Sequence, residues 1–136
     1  MSTPRGIRNN NPGNIEYRAL TRWRGQIGSD GRFVRFDTPE HGIRALAVLL
    51  HNYQKIYGLS SIRQLITRWA PPTDNNDTEA YIASVSRITG IGPNDLITLS
   101  EPDILDSLVE AVIRQENGVQ PYTDHQIALG IVSALG

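Results

Sequence analysis

Apolar residues recur every three or four positions through most of the chain beyond residue 37, which is the spacing of one buried helix face. Each stretch follows a residue suited to a helix start, and most end at a glycine or before a proline pair. The pattern predicts helices that begin after Thr38, Ser60 or Ser61, Asp77, Glu101 and Thr123. These helices are expected to end near residues 57, 69, 89, 116 and 135.

The first 37 residues lack this spacing and are rich in Gly, Asn and Arg. Phe33, Val34 and Phe36 stand in "GRFVRF" after the turn sequence "GSDG", which favours a short strand or hairpin. The expected fold class is therefore mainly α (α+β), with a helical lobe and a small β-hairpin lobe in a single domain, 1–136. A cleft is expected between the lobes.

The amino-acid composition excludes several kinds of site and partner. The 136 residues contain no cysteine, which excludes thiol chemistry and disulfides, and no apolar run has the length of a membrane span or a cleaved signal. The formal net charge of −1 gives no general attraction to nucleic acid, although seven arginines precede residue 36. We interpret those arginines as a solvated face. The three histidines stand singly, so no metal or other cofactor is expected.

Glu116 is the unusual carboxylate. It follows a stripe of six apolar positions and stands at a predicted helix C-terminus, where the helix dipole disfavours a negative charge. That position favours a protonated carboxylic acid, as a general acid requires. The alternative is a partly exposed Glu116 that pairs with Arg114 or an amino-terminal arginine.

Four stretches carry a family resemblance: "RGIRNNNPGNIEY", "WRGQIGSDGRFVRFDTPEHG", "ITRWAPPTDNNDTEAYIASV" and "ENGVQPYTDHQIALGI". Together they resemble small phage proteins that are virion structural or peptidoglycan-degrading. They also resemble parts of the lysozyme-like superfamily, notably N-acetylglucosaminidases and lytic transglycosylases, in a different order. The resemblance therefore implies a circularly permuted lysozyme-like domain, an arrangement that surface termini tolerate.

The resemblance also implies residue roles. Glu116 takes the place of the catalytic acid, Tyr81 that of a cleft tyrosine, and Asp30 approximately that of a second acid on the hairpin. Because Asp30 is an inexact match, the resemblance indicates either a lytic transglycosylase, which needs one Glu, or a glycosidase that inverts with a weakly supported second acid. Glu16 is the remaining acid expected near the cleft.

Substrate contacts are expected from polar and aromatic side chains. Asn9, Asn10, Asn11 and Asn14 offer amides for acetamido groups, although turn chemistry explains an asparagine run equally well. Tyr122 offers a face for sugar stacking, as do Trp23 and Trp69, for which core packing is the preferred interpretation.

The expected function is cleavage of peptidoglycan glycan strands by an endolysin or virion-associated lysin. Such a protein would be a monomer in the phage virion or host cytoplasm and would act on the bacterial cell wall. Other virion proteins are possible partners, whereas nucleic acid and membranes are not expected. The alternative is a non-catalytic virion structural or glycan-binding protein with the same fold.

Overall fold

The computed structural model describes residues 2–136, which form a helical lobe and a small hairpin lobe. The predicted fold class, mainly α with a small β part, is confirmed. None of the helices in this range is long and apolar enough for a bilayer crossing. The elements are α1 (Arg5–Arg8), β1 (Gln26–Ser29), β2 (Val34–Phe36), α2 (Pro39–Tyr57), α3 (Ile62–Trp69), a 3-10 turn (Pro72–Asp74), α4 (Thr78–Thr89), α5 (Pro102–Asn117) and α6 (Asp124–Leu135).

The helix starts follow the predicted caps. The side chains of Thr38, Ser61, Asp77 and Thr123 each accept a hydrogen bond from a backbone N–H in the first turn of their helix. Thr123 also forms the reciprocal capping box with Gln126. The short helix α1 was not predicted, because "RGIR" is a single turn with no apolar repeat.

The main core surrounds α2, whose Ile43, Leu46 and Leu50 are fully buried. Helix α2 packs most extensively against α6, and α5 packs against both α4 and α6. Close packing of α2 on α6 requires Gly130, because a side chain there would collide with Ile43. Helices α5 and α6 also pack against each other, and the chain between them contains no strand.

The two strands form an antiparallel hairpin that pairs Gln26 with Phe36 and Ser29 with Val34, with an irregularity between Gln26 and Gly28. A second core cluster, Ile15, Val34, Phe36 and Ala45, fixes the buried face of this hairpin against α2. Trp69 of α3 packs against both cores. The hairpin lobe is therefore held beside the helical lobe by apolar contacts, and a cleft lies between them.

Asp106 and Glu110 on α5 form a carboxylate pair that makes the stability of the protein depend on pH. Burial and the neighbouring Glu110 raise the pKa of Asp106 on α5 to about 7, from an ordinary 3.8. The folded state therefore binds more protons than the unfolded state between these values, so stability should fall as pH rises from about 4 to 7. Asp106 is partly exposed, so we expect a change of about 1 kcal/mol.

Urea denaturation at pH 5 and pH 8 measures this change. Asp106→Asn should remove most of the difference in unfolding free energy between the two pH values. Asp103 is an exposed carboxylate in the first turn of the same helix, so Asp103→Asn should leave most of that difference. Equal pH dependence in the wild type and Asp106→Asn would contradict the assignment.

Candidate active site

Glu116 is half-buried in the last turn of α5. The helix stops two residues later, where Gly118 adopts the left-handed conformation (φ 76°) and donates its backbone N–H to the carbonyl of Arg114. Glu116 thus lies near the negative end of the helix dipole, as predicted. A carboxylate in this position needs hydrogen-bond donors from elsewhere in the fold.

Two side chains supply those donors. The Tyr81 hydroxyl donates to Glu116 Oε2 at 2.9 Å, and Asn14 Nδ2 donates to Oε1 at 3.1 Å. Tyr81 accepts a hydrogen bond in turn from Trp69 Nε1 at 3.1 Å. Burial of the phenol, together with the negative charge of Glu116, raises the pKa of Tyr81 far above its ordinary 10. Tyr81 is therefore a permanent donor to the carboxylate at physiological pH.

The asparagine-rich loop, residues 9–14, positions Asn14. Asn117 Nδ2 donates to the carbonyl of Pro12 at 2.8 Å, which attaches this loop to the end of α5. The fully buried Asn11 side chain accepts from the backbone N–H of Ile15 and donates to the carbonyls of Ile15 and Val34, which attaches the loop to the hairpin. Asn14 itself has a left-handed backbone (φ 50°), which asparagine tolerates better than most residues.

Gly6 of α1 allows this close approach. A Cβ atom at residue 6 would lie 2.6 Å from Asn117 Oδ1 and 2.8 Å from Asn14 Oδ1, so a side chain there would displace both amides. Both amide oxygens are buried and have no hydrogen-bond partner within residues 2–136. The amides are therefore placed by their donated hydrogen bonds and by contact with the Gly6 backbone.

Glu116 faces a cleft of about 620 Å³ between the two lobes. Asn14 lies beside it in the cleft wall, and the loop 70–76 contributes Asp74 and Asn76. The cleft combines aromatic faces, amides and charged groups, which is the mixture that binds sugars by stacking and hydrogen bonding. The other residues that line it are Gly13, Ile15, Glu16, Arg18, Thr21, Trp23, Arg32, Phe33, Leu49, Tyr53, Arg68, Trp69, Ala70 and Pro71.

The structure places Asp30, the predicted second acid, outside the cleft wall. Its carboxylate accepts hydrogen bonds from Arg5 at 2.6 and 2.9 Å and from Asn9 at 2.8 Å. It also accepts the backbone N–H groups of Arg32 and Phe33 in the hairpin turn. The Arg5 hydrogen bonds and these further donors hold the pKa of Asp30 far below its usual range. Asp30 is a turn-stabilising carboxylate, absent from the cleft wall.

Three of the four asparagines predicted as sugar contacts use their side chains in hydrogen bonds within the protein. Asn9 donates to Asp30, and Asn10 donates to the carbonyl of Phe36 at 3.1 Å. Asn11 donates to the hairpin backbone at the carbonyl of Val34. None of the three lines the cleft. Turn chemistry accounts for Asn10, whose φ is 52°. Asn14 alone combines a turn conformation with a place in the cleft.

Tyr122 is likewise outside the cleft and packs against the main core. Its hydroxyl is buried and has no hydrogen-bond partner within the described chain. Burial, with the negative charge of Glu40, raises the pKa of Tyr122 to about 12. The structure thus places the Tyr122 ring against the main core and not in the cleft wall, where a sugar-stacking residue is expected.

Sequence reasoning did not identify several cleft residues. Arg18, Arg68, Asp74 and Asn76 all line the cleft, but they lie in stretches whose composition fits an ordinary solvated surface. One indication of the hydrogen bond from Trp69 to Tyr81 was present in the sequence. Both residues lie in "ITRWAPPTDNNDTEAYIASV", on either side of its loop. Glu16 lines the cleft as predicted, paired with Arg32 at 3.2 Å.

Comparison with protein-family models gives no match. The chain is similar to a bacteriophage protein, with 42% identity over 130 residues that cover 93% of this chain and 79% of the relative. That relative is Protein P5 of Pseudoalteromonas phage PM2. At this identity and coverage the chain belongs to the family of phage Protein P5. The name states no activity, so any function must be argued from the site.

Two tyrosine-to-phenylalanine changes test the hydrogen-bond assignments. Tyr81→Phe leaves the Trp69 N–H and one Glu116 oxygen without a partner, so we expect a loss of about 1–2 kcal/mol in unfolding free energy. Tyr122→Phe removes a hydroxyl that has no protein partner, so stability should be unchanged or slightly higher. Urea denaturation of both variants gives the comparison. Equal losses from the two changes would contradict the assigned roles.

Proposed function

We propose that this protein cleaves the glycan strands of peptidoglycan, as a phage endolysin or virion-associated lysin, with Glu116 as general acid and base. One observation carries the proposal: a half-buried carboxylate at a helix end faces a cleft and is held on both oxygens by Tyr81 and Asn14. A fixed carboxylate in a cleft of sugar-binding composition suits proton transfer to a glycosidic oxygen.

The proposed reaction is that of a lytic transglycosylase. Glu116 protonates the leaving glycosidic oxygen, and the bond from this oxygen to the anomeric carbon breaks. The C6 hydroxyl of the same sugar then attacks the anomeric carbon and returns its proton to Glu116. The product is a 1,6-anhydro sugar, and no water is consumed.

The surroundings of Glu116 favour this route over a two-carboxylate hydrolysis. The other carboxylates in the cleft wall are Glu16 and Asp74. Glu16 is exposed and forms an ion pair with Arg32. The Asp30 carboxylate accepts hydrogen bonds from Arg5 and from the backbone of the hairpin turn. A mechanism that needs only the Glu116 carboxylate therefore fits this cleft better than one that needs two carboxylates.

We also propose that the fold is a circularly permuted lysozyme-like arrangement. The end of α5, the asparagine-rich loop and the hairpin turn line one cleft, although the loop and the hairpin precede α5 in the chain. A contact at 3.3 Å between Arg24 beside the hairpin and Ser133 near the end of α6 supports this proposal.

Glu116→Gln tests the assignment of the acid. The change is nearly isosteric and the Tyr81 and Asn14 partners remain, so the fold should persist. Release of soluble fragments from purified sacculi should fall by about 10²–10⁴-fold, because a positioned proton donor is lost. Tyr81→Phe should lower turnover less severely, because it removes only one positioning hydrogen bond.

Glu16→Gln is the matched control, because it makes the same chemical change in the same cleft. It should retain most of the activity, provided that both variants give wild-type circular dichroism. Wild-type cleavage by Glu116→Gln would place the acid elsewhere. A wild-type protein that binds sacculi without cleaving them would support the alternative of a non-catalytic virion or glycan-binding protein.

A further inference from the structure

The cleft continues beyond the Glu116 site into a second cavity of about 700 Å³. The two cavities share Tyr53, Arg68 and Pro71, so they form one continuous surface. Leu59 and Pro71 give the second cavity an apolar wall, and Gln64 and Thr67 add polar groups. A branched ligand in the cleft therefore has room for a side branch in this direction.

Two arginines along this surface have no anionic partner. Of the three arginines that line the cleft, Arg32 pairs with Glu16, whereas Arg18 and Arg68 form no ion pair within residues 2–136. Arg63 of the second cavity differs from them, because it donates hydrogen bonds to Glu79 at 2.7 Å and to Asn94 at 2.9 Å. Arg18 and Arg68 are thus free to bind an anion from solution.

Tyr53 lines the cleft together with both arginines, and Arg68 stacks on its ring. The Arg68 guanidinium stacks on Tyr57 at 3.8 Å from the ring centroid and on Tyr53 at 5.4 Å. Stacking restricts the guanidinium plane but leaves its edge N–H groups available. Burial raises the pKa of Tyr53, and the positive charges of Arg68 and Arg18 oppose this shift, so both charges act at the same phenol. The site therefore offers two cations and a neutral phenol.

We propose that Arg18, Arg68 and Tyr53 form a carboxylate-binding subsite that receives the acidic peptide stem of peptidoglycan. This inference rests on the proposed function, because it concerns the same cleft. The peptide stem branches from the glycan strand and ends in carboxylates, which match the planar donor edge of arginine. The apolar wall of the second cavity accommodates the stem beyond its first residues.

The test is a binding titration followed by NMR at low salt, which does not depend on cleavage. The probes are a disaccharide tetrapeptide from sacculi, the same fragment with its carboxylates converted to amides, and the peptide-free disaccharide with its free lactyl carboxylate. The acidic fragment should bind about tenfold more tightly than the amidated one. If the lactyl form binds as tightly as the acidic fragment, the muramyl carboxylate is bound instead of the stem, and the proposal is overturned.

Arg18→Gln/Arg68→Gln should abolish this preference, so that the acidic and the amidated fragments bind with equal affinity. Arg35→Gln/Arg87→Gln removes the same charge from exposed positions outside the cleft and should retain the preference. A preference that survives in Arg18→Gln/Arg68→Gln, or is absent in the wild type, overturns the subsite. Failure to cleave sacculi, with the binding preference intact, would instead refute only the enzymatic proposal.

Discussion

The attachment of the asparagine-rich loop to the end of α5 determines the rest of the site. Asn117 binds the Pro12 carbonyl from the last residue of the helix, and one residue earlier Glu116 receives the amide of Asn14. This contact joins segments about 100 residues apart in the chain, and Gly6 permits it because any side chain there would push both amides away. Without it, the hairpin lobe would lack a polar link to α5, and Glu116 would lose one of its two donors.

The same contact explains how a carboxylate is tolerated where the helix dipole opposes it. Free carbonyls at a helix C-terminus disfavour negative charge by a few tenths to about 1 kcal/mol, and two hydrogen bonds to the carboxylate outweigh that cost. Tyr81 cannot ionise at physiological pH because it is buried beside Glu116, so it remains a donor. The carboxylate is therefore fixed in direction at the wall of the cleft.

Sequence periodicity was sufficient for the helices, because caps such as Thr38 and Thr123 and exits such as Gly58 and Gly118 act locally. The unusual position of Glu116 was also visible locally. The roles of the asparagines were not, since Asn11 and Asn14 have similar neighbours in sequence but bind different lobes. The place of Asp30 could not be predicted, because a turn-stabilising carboxylate and a hairpin acid look alike until the donors from Arg5 and Asn9 are placed.

The central claim is that one carboxylate, Glu116, cleaves the glycan strand without a second acid. Mass spectrometry of the soluble fragments that the wild-type protein releases from purified sacculi tests this claim most directly. The proposed mechanism predicts fragments that end in 1,6-anhydro sugars, each lighter by one water than a hydrolysis product. Fragments with ordinary reducing ends would contradict the one-acid mechanism, and intact glycan strands after prolonged incubation would contradict cleavage altogether.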